Sequence, residues 1–237
     1  MIYFVKYGKR QIEFNLKHVA RKTLQINVYP DLSIEVKAPL ECDLNKIFDK
    51  VRKRGNWIVK QQNFFKQFLP LQPPRRFISG ETHRYLGRQY RLKVIESQET
   101  EVKMTGGYIK VFIKDTKDFT QVKKLVDKWY RIRAEKIFSS LMQELNPIMN
   151  KLNISTPLFK IRYMKTRWGS CSRNGNITLN SELIKAPKSC IKYVIIHELC
   201  HLKEYQHTRR FYALLEDCMP LWKKEKKHLD KMADLIL

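Results

Sequence analysis

The sequence predicts an α+β fold in which a β-rich amino-terminal part precedes a helical part that carries a metal motif. Apolar residues alternate at every second position over residues 24–36, as in a half-buried strand pair. Apolar residues follow a helical period over 122–145, and a strongly apolar helix leads into the His-Glu-x-x-His motif at 197–201. We therefore expect a mainly antiparallel β subdomain with a helix over 1–115, and a second domain with the motif helix beside a small sheet over 116–237.

The elements follow from local patterns. The alternation over 24–36 breaks at Tyr29-Pro30-Asp31, which predicts a hairpin turn. Residues 43–68 suit a helix with a basic outer face, which Gly55-Asn56 can interrupt. The proline-rich stretch 69–76 is the best linker candidate, and Asn146-Pro147 ends the long helix. Further strands are expected at residues 77–80, 84–94, 108–113, 159–164 and 177–179. No internal repeat is expected.

The charge balance is strongly basic. The 237 residues include 47 Lys+Arg and 23 Asp+Glu, for a formal net charge of +24. Such a field attracts polyanions, among which nucleic acid is the usual one in a cell. The basic residues are spread along the chain rather than gathered in a tail, so a solvated surface is the competing interpretation. DNA or another polyanion is therefore a possible partner through the basic surface.

Composition also constrains the compartment. The five cysteines contain no C-x-x-C pair, which argues against a disulfide framework and fits a reducing environment. No apolar stretch resembles a signal peptide or approaches the length that spans a bilayer. We expect a cytoplasmic protein with no membrane partner.

The motif at 197–201 predicts a metal site. His197 and His201 are four residues apart, so both imidazoles lie on one face of a helix and can bind the same ion. Glu198 points elsewhere on the helix and can contact a metal-bound water. Zinc lowers the pKa of such a water, and the carboxylate can take its proton as general base.

Catalytic zinc normally has three protein ligands, and three residues after the motif are candidates for the third. His207 is favoured because imidazole is a good zinc ligand, but the helix must then end near residues 205–206 so that the chain turns back. Glu204 lies on the histidine face and would be stretched to reach the ion. Glu216 can return from the following helix. No glycine lies between His201 and His207, which argues against the metzincin pattern.

The sequence resembles the YgjP-like branch of the SprT-like zinc metallopeptidases, which are zincin-like. The resemblance rests on the segment Lys165-Thr166-Arg167-Trp168-Gly169-Ser170-Cys171-Ser172, on residues 175–180 and 193–202, and on His207 with Phe211. The amino-terminal part also resembles this family, in residues 21–28, 38–39 and 79–87, so the similarity covers nearly the whole chain. The resemblance implies a peptidase domain with His197, His201 and His207 as zinc ligands and Glu198 as general base. Thr208 stands where the family pattern suggests serine.

The segment around Trp168 suggests a substrate-binding edge. A strand that leads to a tight turn at Asn174-Gly175 would lie beside the motif helix, and zincins bind substrate as an added strand on such an edge. Arg167, Trp168 and Asn180 are the candidate substrate-binding residues. The competing interpretation makes Trp168 a core residue and Arg167 an ion-pair partner.

Two functions remain open. The leading one is a zinc-dependent endopeptidase that hydrolyses peptide bonds in a protein or peptide substrate. The alternative is a nucleic-acid-binding protein with a structural or vestigial zinc site. The two can combine, because SprT-like relatives include proteases that act on proteins held on DNA, which is an analogy from the resemblance.

Overall fold

The computed structural model describes residues 1–66, 69, 75–165 and 167–232. Two compact units divide the chain, Met1–Pro73 and Pro74–Leu237. The division lies at the predicted linker and not at the predicted domain boundary of 115/116. The reason is packing: apolar side chains of the strands before residue 115, among them Leu92 and Val111, share one core with the long helix that follows.

The first unit is a four-stranded sheet with two helices. Its strands are β1 (Ile2–Tyr7), β2 (Arg10–His18), β3 (Gln25–Val28) and β4 (Ile34–Ala38), in the order β1-β2-β4-β3. The β3–β4 pair is antiparallel, which confirms the predicted hairpin. Among the described strands of this unit, only the β2–β4 pair is parallel. Alternate strand residues such as Ile12 and Phe14 fill a core of their own.

The predicted helix over 43–68 is interrupted where the sequence indicated. Helix α1 (Leu44–Lys53) ends at Arg54, and α2 (Gly55–Lys66) begins at the next residue. Gly55 is required there by close approach, because an added Cβ would lie 2.4 Å from Cδ2 of Tyr7. The predicted end at residue 68 lies outside the described residues.

The second unit contains a sheet with the same topology as the first. Its strands are β5 (Thr82–Tyr85), β6 (Arg88–Glu96), β7 (Glu101–Thr105) and β8 (Tyr108–Ile113), in the order β5-β6-β8-β7. Again the outer pairs are antiparallel and the central pair is parallel. The two sheets thus share a strand order although the sequence shows no internal repeat. Sequence did not reveal it because strand pairing needs only alternating burial, not matching residues.

The predicted strand at 77–80 was wrong. Phe77 has a φ of 59° and Gly80 a φ of 94°, so the chain turns there instead of extending. The Glu81 carboxylate accepts hydrogen bonds from the backbone N–H groups of Arg76 and Phe77, which holds the turn.

The remaining elements surround the motif helix. After β8 the chain forms α3 (Phe119–Glu144) and α4 (Asn146–Lys151), which confirms the predicted long helix and its end. A three-stranded sheet follows, built from β9 (Phe159–Arg162), β10 (Gly169–Cys171) and β11 (Ile177–Asn180) in the order β10-β11-β9. A 3-10 helix (Ser181–Lys185) and helices α5 (Lys188–Cys200), α6 (Arg209–Cys218) and α7 (Trp222–Asp230) complete the unit.

Helix α5 is the central element of this unit. Its apolar run is buried almost without interruption, with Ile191 and Ile195 fully enclosed. Each such side chain contributes roughly 1.5–3 kcal/mol of transfer free energy on burial. The helix is therefore held firmly on most of its circumference. Within the described residues, no helix is long and apolar enough to cross a membrane.

Candidate functional site

The carboxyl end of α5 presents the two motif histidines. His197 lies in the last turn, and His201 is the residue that caps the helix. Their ring centroids are 4.9 Å apart, as the four-residue spacing predicts. His201 is buried and His197 is half-buried, so the apolar surroundings of α5 fix both rings.

A turn after α5 brings the third histidine back to the first two. Nε2 of His207 lies 3.0 Å from Nε2 of His197 and 3.2 Å from Nε2 of His201. The helix ends at Cys200, five residues before the end expected from the sequence. The Thr208 hydroxyl then accepts from the N–H of Phe211 and caps α6, so the hydroxyl at this position has a structural role.

The three histidines fit a metal ion. Tetrahedral zinc with Zn–N distances of about 2.0–2.1 Å places its nitrogen ligands about 3.4 Å apart, close to the observed separations. Nδ1 of His201 lies 3.0 Å from the Glu204 carbonyl oxygen, which assigns the proton to Nδ1 and leaves Nε2 as a ligand. Burial lowers the pKa of His197 to about 3, with further lowering by His201 and His207, so this imidazole is neutral as a ligand must be.

The other two candidates for the third ligand point elsewhere. Glu204 contributes its backbone carbonyl to His201, and its side chain is not part of the histidine cluster. The Glu216 carboxylate accepts from the indole N–H of Trp222 and pairs with Lys223. His207 is therefore the candidate that the fold brings to the other histidines.

The ring of Phe211 packs against all three imidazoles. Its fully buried ring stacks on His201 at a centroid distance of 4.5 Å and meets His197 and His207 edge-on at 4.9 and 4.7 Å. Sequence reasoning assigned Phe211 no role beyond the resemblance. Its position four residues after His207, on the inner face of the next helix, was the available signal.

The side chain of Glu198, on α5, is covered by strand β10. Its residue exposure is only 5%, and a Cβ added at Gly169 would lie 2.6 Å from its Oε1. Burial raises the pKa of this carboxyl to about 8, and the positive charge of Arg167 acts in the opposite direction. A carboxyl that exchanges a proton near neutral pH suits general acid–base catalysis.

Strand β10 is an edge strand beside the motif helix. It pairs antiparallel with β11 and has no second neighbour in the described part of the chain. Its other main-chain edge is therefore free to accept another strand, and it lies next to the helix that carries Glu198.

The three predicted substrate-binding residues have different surroundings. Arg167 is exposed, and Trp168 is half-buried against the core. Asn180 is fully buried, and its amide donates to the carbonyls of Met164 and Arg167 at 2.7 and 2.8 Å. Direct contact between the Asn180 side chain and a substrate does not fit this environment. Instead, Asn180 fixes the segment that leads into β10.

A convergent histidine cluster beside a buried glutamate is an arrangement suited to metal-dependent hydrolysis. The comparison with protein families agrees with this class. A family model described as YgjP-like, metallopeptidase domain, matches residues 22–232, so this chain belongs to the YgjP-like metallopeptidase family. The match covers both units and confirms the resemblance seen in the sequence.

Other comparisons add less. The search of curated proteins found no match. Among solved structures, the chain is similar to the metallopeptidase zymogen of Pyrococcus abyssi abylysin, with 24% sequence identity over 41% of this chain and 94% of that chain. The TM-score of 0.36 is too low to support an inference about this chain.

Proposed function

We propose that this metallopeptidase is a zinc-dependent endopeptidase with His197, His201 and His207 as ligands and Glu198 as general base. The observation that carries the proposal is the convergence of three Nε2 atoms at the end of the helix that also carries Glu198, with Nε2 of His207 3.0 Å from that of His197 and 3.2 Å from that of His201. When bound, zinc supplies a Lewis acid that activates water and stabilises negative charge on the substrate oxygen. His207 is exposed, which supports access from solvent.

Glu198 has the proton-transfer role. Its carboxylate is held between α5 and Gly169 and cannot move freely, which favours a fixed geometry for accepting a proton from water. Because burial raises its pKa, the protonated carboxyl can then deliver that proton to the leaving amine.

The free edge of β10 supports an extended substrate. Main-chain hydrogen bonds along such an edge give affinity with little dependence on side chains. A polypeptide bound as an added strand continues past the site in both directions, which is why we favour an endopeptidase. Arg167, exposed beside this strand, is the residue we assign to holding the substrate or polarising its carbonyl.

The test compares Glu198→Gln with the wild type. We expect Glu198→Gln to keep stoichiometric zinc, measured by elemental analysis, and to lose cleavage of a mixed unfolded-protein substrate by about 10²–10⁴-fold. Equal cleavage by both proteins would refute the mechanism. Loss of zinc from the variant would instead assign Glu198 to the metal site.

A second candidate function, association with nucleic acid, is favoured by a groove in the first unit. Leu24, Ile26, Lys50, Arg54 and Trp57 line a cavity of about 360 Å³. Trp57 is 39% exposed beside two cations, a combination that stacks bases and contacts phosphates. We propose that this groove binds single-stranded nucleic acid and brings the peptidase to protein bound on that nucleic acid.

The test of this groove is the variant Trp57→Ala, which should weaken binding of a fluorescent oligonucleotide about tenfold or more. Absence of oligonucleotide binding by the wild type at low salt would refute the proposal.

A further inference from the structure

A second group of potential metal ligands lies at the other end of the motif helix. Sγ of Cys190, a carboxylate oxygen of Glu225 and a ring nitrogen of His228 lie within 4.8 Å of one another. Cys190 is in the first turn of α5, about 10 Å along the helix from His197. Glu225 and His228 are three residues apart on α7 and so share one face of that helix.

The distance between two of the ligand atoms fits zinc. Tetrahedral zinc, with Zn–S of about 2.3 Å and Zn–O of about 2.0 Å, separates a thiolate sulfur from a carboxylate oxygen by about 3.5 Å. Sγ of Cys190 lies 3.6 Å from Oε2 of Glu225. The two helices are packed together at this level, since the rings of Tyr193 and Trp222 stack.

The carboxylate of Glu225 is available to bind a metal ion, because two neighbouring lysines pair with other acidic residues. Helix α7 carries four lysines, of which Lys223 pairs with Glu216 and Lys226 with Asp230. Among the described residues Glu225 forms no ion pair, and its carboxylate accepts a side-chain hydrogen bond only from the Cys190 thiol. A divalent ion bound here therefore displaces no existing ion pair of Glu225.

The burial of Cys190 argues against a role for this cluster in nucleophilic catalysis. Cys190 is fully buried, so a substrate cannot reach its sulfur even though a histidine and a carboxylate are close. An ion can still enter from the His228 side, because His228 is exposed. Burial raises the pKa of the Cys190 thiol to about 12 without an ion, so metal binding displaces the thiol proton.

We propose that Cys190, Glu225 and His228 bind a second zinc ion, which ties the amino end of α5 to α7. A thiolate, an imidazole and a carboxylate together suit zinc, whereas calcium and magnesium take oxygen ligands. The bound ion anchors the start of the helix whose other end holds the three histidines. This site does not depend on the proposed peptidase chemistry.

The experiment measures metal content and cobalt spectra of the full chain. After zinc loading and dialysis against a weak chelator, we expect two zinc ions per wild-type chain and one per chain in His228→Ala, whose exposed position makes misfolding a small risk. In the cobalt-loaded wild type we expect a thiolate-to-cobalt charge-transfer band in the near ultraviolet. Cys190→Ala should abolish it, and the matched control Cys42→Ala should keep it.

Variants of the three-histidine site separate the two sites. The double variant His197→Ala/His201→Ala should lose one zinc ion and keep the thiolate band. A wild-type protein with one zinc ion and no thiolate band would overturn the second site and leave the proposed peptidase intact. A thiolate band that persists in both Cys190→Ala and His228→Ala would also overturn it.

Discussion

Gly169 lies directly against Glu198: a methyl group at position 169 would come within 2.6 Å of Oε1, 2.9 Å of Cγ and 3.0 Å of Cδ of the glutamate. Only a glycine lets the edge strand β10 approach the motif helix this closely. The carboxylate is thereby held on one side by backbone and on the other by α5, so strand and helix together fix its position.

We predict that Gly169→Ala separates zinc binding from catalysis. The new methyl group displaces the buried Glu198 carboxylate, because the three heavy atoms nearest to it all belong to Glu198, while the three histidines keep the ion. A displacement of about 1 Å costs roughly 10²-fold in rate. Steady-state kinetics and zinc analysis check this, with Ser170→Ala on the same strand as control. Unchanged kcat in Gly169→Ala would show that the contact does not position the base.

Loss of His207 should weaken the metal site more than loss of either glutamate candidate. His207→Ala removes a ligand, so its effect on zinc affinity should exceed the roughly 100-fold upper range for outer partners. Glu204→Ala and Glu216→Gln should keep the wild-type affinity, because their carboxylates lie outside the histidine cluster. Competition with a chromophoric chelator measures all three. A larger loss of zinc affinity in Glu216→Gln than in His207→Ala would instead identify Glu216, on α6, as the third ligand.

Phe211 should affect both stability and metal affinity. Phe211→Ala removes a fully buried ring, which costs about 3–5 kcal/mol of unfolding free energy, and frees three imidazoles, which should lower zinc affinity about 10–100-fold. Phe138→Ala is the matched control, because Phe138 is equally buried but belongs to α3. Chelator competition well below the unfolding temperature should show reduced zinc affinity in Phe211→Ala and unchanged zinc affinity in Phe138→Ala.

Asn180 is expected to position the chain and not to contact substrate. Asn180→Ala leaves the carbonyls of Met164 and Arg167 without a donor, at a cost of about 1–3 kcal/mol each. We expect a lower unfolding temperature and lower kcat, with exposed Asn176→Ala as control. A raised KM with unchanged unfolding temperature would instead support direct substrate binding by Asn180.

The first unit should lose stability in acid through Glu35. The hydrogen bond from Lys17, with smaller contributions from Tyr29 and Lys37, lowers the pKa of Glu35 to about 2. Since the folded pKa lies below the unfolded value of about 4.3, the stabilisation is complete above that value and disappears as pH falls towards 2.

Glu35→Gln tests this dependence. At pH 7 the variant should lose about 1–2 kcal/mol, and the difference from the wild type should shrink below pH 4. Hydrogen exchange of β2 and β4 amides, corrected for intrinsic rates, measures the local stability. The exposed control Glu41→Gln should follow the wild type throughout. A difference that persists at pH 2 would contradict the role of the charged form.

Helices and strands were predictable from the sequence where apolar residues recur at a regular spacing and turn-forming residues bound the segment. The alternation over 24–36 and the helical period over 122–145 became β3–β4 and α3, because each places its apolar residues on a single buried face. The strand expected at 77–80 failed, since two apolar residues carry no period and Phe77 adopts a positive φ. The unit boundary was misplaced because composition does not show which core a strand joins.

The sequence by itself determined the pair His197 and His201 with Glu198, since helical spacing puts both imidazoles on one face whatever surrounds them. It also indicated the YgjP-like family. Only the tertiary structure decided that His207 and not Glu216 reaches these histidines, that Gly169 packs against Glu198, and that Asn180 is buried. The reason is that these residues are far enough apart along the chain that the sequence sets no distance between them. The packing of α5, α6, β10 and β11 fixes those distances.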